Sequence, residues 1–139
     1  MTATPAVPAP ITAWHELVVL GREDRAAAHD RLDALLAEDV VFRSPAVHTP
    51  QEGKEVTTAY LRAALVVLGP GLTYHREWYA DDSAVLEFTT DVGGKQVHGV
   101  DMVTWGPDGR ITDFTVLVRP VQGLEALIAA MAAELSGGR

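Results

Sequence analysis

The chain has 139 residues, a formal net charge of −8 and no cysteine. That length serves one domain, and eleven basic against nineteen acidic residues exclude a phosphate-tracking nucleic-acid binder. The missing thiols exclude disulfides, thiolate-held metals and cysteine nucleophiles, while 47% hydrophobic and 22% charged residues make a globular mixture with no apolar run long enough for a membrane.

Residues 1–10 read as a flexible Pro/Ala-rich tail. They lack the basic start and apolar centre of a secretory signal, so a cytoplasmic location is expected. Residues 11–135 read as a single domain, with the Ser136-to-Arg139 end fraying. Ile11, Trp14, Leu17 and Val18 fall at helical spacing up to Gly21. A second helix is capped near Asp24, carries Ala28, Leu32, Leu35 and Leu36 on one face, and ends at Asp39. Val40 to Arg43 is a short strand closed by Ser44-Pro45. Val56, Tyr60, Ala63, Ala64 and Val67 mark a third helix, stopped by Gly69-Pro70-Gly71.

The second half reads as an antiparallel meander. Its strands are Leu72–Tyr79, Ala84–Thr90, Gln96–Trp105 and Ile111–Arg119, with glycine turns at Gly93-Gly94 and Asp108-Gly109. Leu124, Leu127, Ile128, Met131 and Leu135 form the stripe of a last amphipathic helix.

Turn length fixes which side chains meet across strands. Two-residue turns place Phe88 opposite Gly99, Leu86 opposite Asp101, Asp101 opposite Val116 and Val103 opposite Phe114. One sheet face then holds Leu86, Phe88, Val97, Gly99, Asp101, Val103, Trp105, Phe114, Val116 and Val118. Asp101 is the lone charge there. A carboxylate on an apolar face must be paired, hydrogen-bonded or protonated. Two readings stand: an acid clamped by Arg76 or Arg119 or turned to a dimer seam, or a pocket acid/base with a raised pKa. Gly99 leaves a gap in the wall where a ligand could approach. The preceding strand has two registers. A two- or four-residue turn around Asp81-Asp82 puts His75 and Glu77 on the Asp101 face; a three-residue turn puts Tyr74, Arg76 and Trp78 there.

His15, His29, His48, His75 and His98 show no metal-ligand spacing. No loop cradles a phosphate, and Ser44 has no nucleophile elbow around it. Trp14, Tyr60, Trp78 and Trp105 suit a core more than a stacking platform, and the acidic residues Glu23, Asp24, Asp30 and Asp33 suit a solvated helix face.

Two stretches carry a family resemblance. Leu35 to Pro45 (LLAEDVVFRSP) resembles the helix-to-strand entry of SnoaL-like and ketosteroid-isomerase-like proteins of the nuclear transport factor 2-like superfamily. Gly99 to Trp105 (GVDMVTW), with Asp108-Gly109-Arg110-Ile111 after it, resembles their last hairpin. The likeness covers roughly residues 11–120. It implies an α+β, cystatin-like cone: N-terminal helices on a curved antiparallel sheet, plus a C-terminal helix. It also implies a cofactor-independent enzyme on a small hydrophobic, carbonyl-bearing or polycyclic substrate, performing isomerisation, cyclisation or dehydration. The rival is a non-catalytic binding or dimerisation module of the same fold.

Asp101 resembles the protonated aspartate that helps ketosteroid isomerases hold a dienolate oxygen. Ser44 stands where their base, an aspartate before a proline, would be. Their first-helix tyrosine has no clear equivalent; Trp14 and His15 lie nearby. SnoaL-like cyclases need a pocket aspartate and no cofactor, whereas an Arg/Asp/Asp set of the limonene-epoxide-hydrolase kind is not placed. Asp101 is the expected acid/base. His48, Tyr60, His75, Phe88, Val103, Trp105, Phe114, Val116 and Arg119 are the expected substrate contacts. No cofactor, metal, nucleic acid or membrane partner is expected. A homodimer is expected through the outer sheet face of Val85, Glu87, Val100, Met102, Thr104, Thr115 and Leu117.

Overall fold

The computed structural model describes residues 6–137. The expectations for residues 1–5 and 138–139 lie outside these. Helix α1 (Ala9–Gly21) starts inside the expected tail, with Pro10 in its first turn, where a missing N–H costs nothing. It buries Ile11, Trp14, Leu17 and Val18. Helix α2 (Arg25–Leu35) is capped by Asp24, whose side chain accepts from the Ala27 N–H at 3.0 Å.

Strand β1 (Leu36–Arg43) begins where the sequence reading keeps the helix going to Asp39. Leu35 and Leu36 fit the helical stripe, but Leu36 takes extended geometry and is fully buried beside Ile111. Tertiary burial overrides the local pattern there. After the two-residue β2 (Gln51–Glu52), Gly53 at φ +104° admits helix α3 (Lys54–Leu68), and Gly69 at φ +62° ends it.

Strands β3 (Thr73–Tyr79), β4 (Ser83–Val92), β5 (Lys95–Trp105) and β6 (Ile111–Arg119) follow, then helix α4 (Val121–Gly137). The sheet order is β2-β1-β6-β5-β4-β3. The meander is antiparallel as expected, but β1 lies parallel to β6, so the six-stranded sheet is mixed. Helices and a curved mixed sheet make the α+β, cystatin-like architecture. The inner sheet face supplies Leu86, Phe88, Val97, Val103 and Phe114 to the core; α1 supplies Ile11, Trp14 and Leu17. Helix α4 comes so close to β5 that a Cβ on Gly123 would stand 2.5 Å from the Gln96 carbonyl oxygen. Among the described residues no helix is long and apolar enough to cross a membrane.

Candidate active site

Both hairpins give Asp101 the expected partners, but the second does so through a three-residue turn between Gly106 and Arg110, not the two-residue Asp108-Gly109 turn, with a bulge at Thr112 restoring the offset. Leu86 pairs with Asp101 and Phe88 with Gly99 on one side; Val116 pairs with Asp101 and Phe114 with Val103 on the other. Gly93 and Gly94, at φ +57° and +80°, give the two-residue turn that fixes the first register. Gly99 has a different role from the one expected. A Cβ there would stand 2.7 Å from the Phe88 ring and 2.5 Å from the Leu117 carbonyl oxygen. The gap is filled by Phe88 and not open to a ligand.

Strand β3 takes neither uniform register. Tyr74 pairs with Phe88 and Glu77 with Leu86, so His75 and Arg76 together oppose Glu87 alone. This is a β-bulge, two residues against one. It turns Tyr74, from one expected register, and Glu77, from the other, toward the same inner face. Arg76 goes to the outer face and grips Glu87 through Nε and Nη2, both at 2.8 Å, so the arginine clamp on Asp101 is not formed.

The Tyr74 hydroxyl donates to Asp101 Oδ2 at 2.6 Å and accepts from Trp14 Nε1 at 2.9 Å. Asp101 itself is 4% exposed. Burial pushes its carboxyl up to about 7; the Tyr74 bond opposes that shift and the charge of Glu77 adds to it. Burial, then the neighbouring Asp101, holds the Tyr74 hydroxyl well above its usual range, so it stays a donor. A second set adjoins the first: His15 Nε2 lies 2.6 Å from Glu77 Oε2, and the Tyr79 hydroxyl donates to Glu77 Oε1 at 2.6 Å. Burial and that bond raise Tyr79 to about 12.

Asp101 and Tyr74 open on a cavity of about 210 Å³. Its walls are mostly apolar: Trp14, Phe42, Phe88, Phe114 and Val116, with Tyr60 of α3 packed against Phe42, ring centroids 5.6 Å apart. The loop Ser44–Val47 and the α4 residues Ile128, Met131 and Leu135 complete it. An acid that titrates near neutrality inside an apolar wall can hold or release a proton at working pH. Among the described residues no three His, Asp or Glu side chains gather in a metal-binding set.

The SnoaL-like domain family matches residues 11–114. The chain belongs to that family. Its solved structural neighbours agree: this SnoaL-like domain superposes on a steroid delta-isomerase from Pseudomonas aeruginosa with a TM-score of 0.87 and 36% identity, covering 98% of each chain. A protein with a cystatin-like fold from Silicibacter pomeroyi gives 0.74 and 30% identity over 91% of this chain and 90% of that one. The epoxide hydrolase/cyclase-like enzyme SalBIII, which acts in pyran ring formation in salinomycin, gives 0.60 over 79% and 90% of the two chains; at 16% identity it shares the fold alone. An NTF2-like protein from Mesorhizobium loti gives 0.66 over 86% and 100% of the two chains; at 18% identity it too shares the fold alone. No curated protein sequence matches this chain.

Of the sequence candidates, the SnoaL-like domain brings Asp101, Tyr60, Phe88, Phe114 and Val116 to the cavity wall. Val103 and Trp105 share that sheet face but are packed in the core, outside the wall. His48 is exposed on the loop beyond Val47. His75, a bulge residue, faces outward with Nε2 2.6 Å from Thr89 Oγ1. Arg119 is exposed, its Nη1 3.2 Å from His98 Nδ1. An arginine N–H only donates, so Nδ1 accepts and His98 Nε2 carries the proton given to Glu87 at 2.8 Å. Trp14, Tyr74 and Glu77 complete the polar cluster. For Tyr74 and Glu77 the sequence offers two open registers and nothing that combines them; for Trp14 it shows the helical stripe of α1.

Proposed function

We propose that this SnoaL-like domain is a cofactor-independent acid/base enzyme of isomerase, cyclase or dehydratase type, acting on a small hydrophobic carbonyl compound. The observation that carries the reading is Asp101: a buried carboxyl poised at about 7, hydrogen-bonded to Tyr74 and facing an apolar cavity. The steroid delta-isomerase likeness supports proton transfer beside a carbonyl. A cavity of about 210 Å³ lies below the roughly 300–1,000 Å³ of drug-sized sites, which favours a compact substrate.

In this reading ionised Asp101 takes a proton from the carbon next to the substrate carbonyl. The electron pair moves onto the carbonyl oxygen as an enolate, and protonated Asp101 returns the proton to a second carbon. The Tyr60 hydroxyl, of the same cavity lining, is in this reading the donor for the enolate oxygen. Ser44, on the cavity lining, accepts the Ala46 N–H at 3.0 Å through Oγ, and its neutral hydroxyl is too weak a base to take the substrate proton.

Deuterium exchange tests this. Small cyclic enones and β,γ-unsaturated ketones are incubated with the protein in D₂O and followed by NMR. Protein-dependent exchange is expected, lost in Asp101→Asn and kept within a small factor in Ser44→Ala. Binding of these ketones without exchange favours the non-catalytic module instead. Loss of exchange in a folded Ser44→Ala overturns the reading of that position.

A further inference from the structure

Leu65, Leu72 and Leu135 form a wall with two sides. One side faces the Asp101 cavity. The other faces a second recess of about 420 Å³ between α1, α2, α3 and the end of α4. Its floor is apolar, with Ala28, Leu32 and Ala63 each at most 5% exposed. Around this floor stand Arg22, Arg25 and Arg62, three of only eleven basic side chains in a chain of net charge −8.

Helix ends do not account for all of these charges. Arg22 follows the C-terminus of α1 and donates Nη2 to the Leu72 carbonyl oxygen at 2.8 Å, where a cation is favourable. Arg25 is the first residue of α2, beside the capping Asp24, whose carboxylate takes the Ala27 N–H and forms no ion pair with Arg25. Arg62 sits mid-way along α3. Arg31, Arg43 and Arg76 each have a carboxylate within 4.0 Å, but Arg22, Arg25 and Arg62 have none among the described residues. Glu134, the acid on the recess wall, pairs with none of the three. His29, on the same wall, has a buried Nδ1 without a hydrogen-bond partner.

We propose that this recess binds a small organic anion. Arg25 and Arg62 hold the anionic head, with Arg22 beside them, and an apolar body lies on the Ala28–Leu32–Ala63 floor. The site is independent of the chemistry assigned to Asp101.

The test titrates the full chain with sodium octanoate and, separately, with inorganic phosphate, followed by backbone amide shifts. Saturable octanoate binding is expected, with shifts centred on residues 25–32 and 59–66. Arg25→Gln and Arg62→Gln should each weaken it tenfold or more, added salt should weaken it, and Asp101→Asn should leave it unchanged. Both arginines are exposed, and circular dichroism checks that the variants keep their fold. Absence of saturation, or binding that survives both arginine substitutions, overturns the proposal. So do shifts confined to Phe88, Asp101 and Val116, which would put the octanoate tail in the other cavity. Phosphate binding as tight as octanoate would overturn the role given to the apolar floor.

Discussion

Glu87 accepts the backbone N–H of Arg76 at 3.3 Å as well as its guanidinium, so a carboxylate on the outer sheet face pins the bulge that shapes the inner one. Without that extra residue in β3, Tyr74 and Glu77 could not both face Asp101. The Arg76 guanidinium and then His98 hold the Glu87 carboxyl far below the usual carboxylate range.

Glu87→Gln keeps the shape and removes the charge. Because the Glu87 pKa is depressed in the fold, its contribution is fully present above the unfolded carboxylate range and fades as pH falls below it. The variant should melt lower than the parent at neutral pH, with the gap narrowing below about pH 4. A gap of constant size down to pH 2 would detach Glu87's charge from the stability of the bulge.

Asp101 works in the opposite sense. Its folded value of about 7 stands above the ordinary 3.8, so ionisation disfavours the fold. The cost is absent below about pH 4, grows as pH rises through the unfolded value, and levels off above about 7. Its full size is on the order of 4 kcal/mol. Asp101→Asn, nearly the same shape, should keep or raise the melting temperature at neutral pH and flatten its pH dependence between 4 and 7. A marked loss of stability at neutral pH would mean that the carboxylate is paired after all.

The α4 stripe is legible in the sequence, though its burial is uneven. Leu127 is 6% exposed, while Ile128 and Leu135, at 41% and 37%, edge the cavity mouth. Leu127→Ala should therefore cost toward the lower end of the ~2–5 kcal/mol seen for buried leucines, since it borders space that already exists. Thermal melts check this, and an unchanged melt would mean that α4 does not hold the domain together.

What could be read ahead follows from turns. Gly93-Gly94 fixes the first register as read, whereas the second reaches the expected pairs through a three-residue turn, Pro107 to Gly109, and a bulge that leaves Thr112 unpaired; together they place Asp101 among Leu86, Val103 and Val116. What could not be read needs a partner on the other face or strand. The bulge depends on Glu87 gripping Arg76, which no alternation of β3 reveals. The early start of β1 depends on Leu36 meeting Ile111, 75 positions away. His75 and Arg119 have the chemistry of ligand contacts, but the bulge and the strand alternation turn them outward, to Thr89 and His98.

The outer sheet face exposes Trp78, Met102 and Leu117 at 51%, 42% and 53%, around the charged Arg76–Glu87 pair. We propose that this face forms a homodimer. Light scattering at micromolar concentration should give twice the 14.9 kDa chain mass, and Leu117→Glu should shift it to monomer. A monomeric parent protein would count decisively against the dimer.

The central claim is that Asp101 is a poised acid, tuned by burial and by Tyr74. Its most direct measurement is the titration of the Asp101 side-chain carboxyl by carbon-13 NMR, in the parent protein and in Tyr74→Phe. The parent midpoint should lie near 7. Removing the hydroxyl that favours the ionised form should move it higher. A midpoint at or below the ordinary 3.8, or one that falls in Tyr74→Phe, would contradict the account.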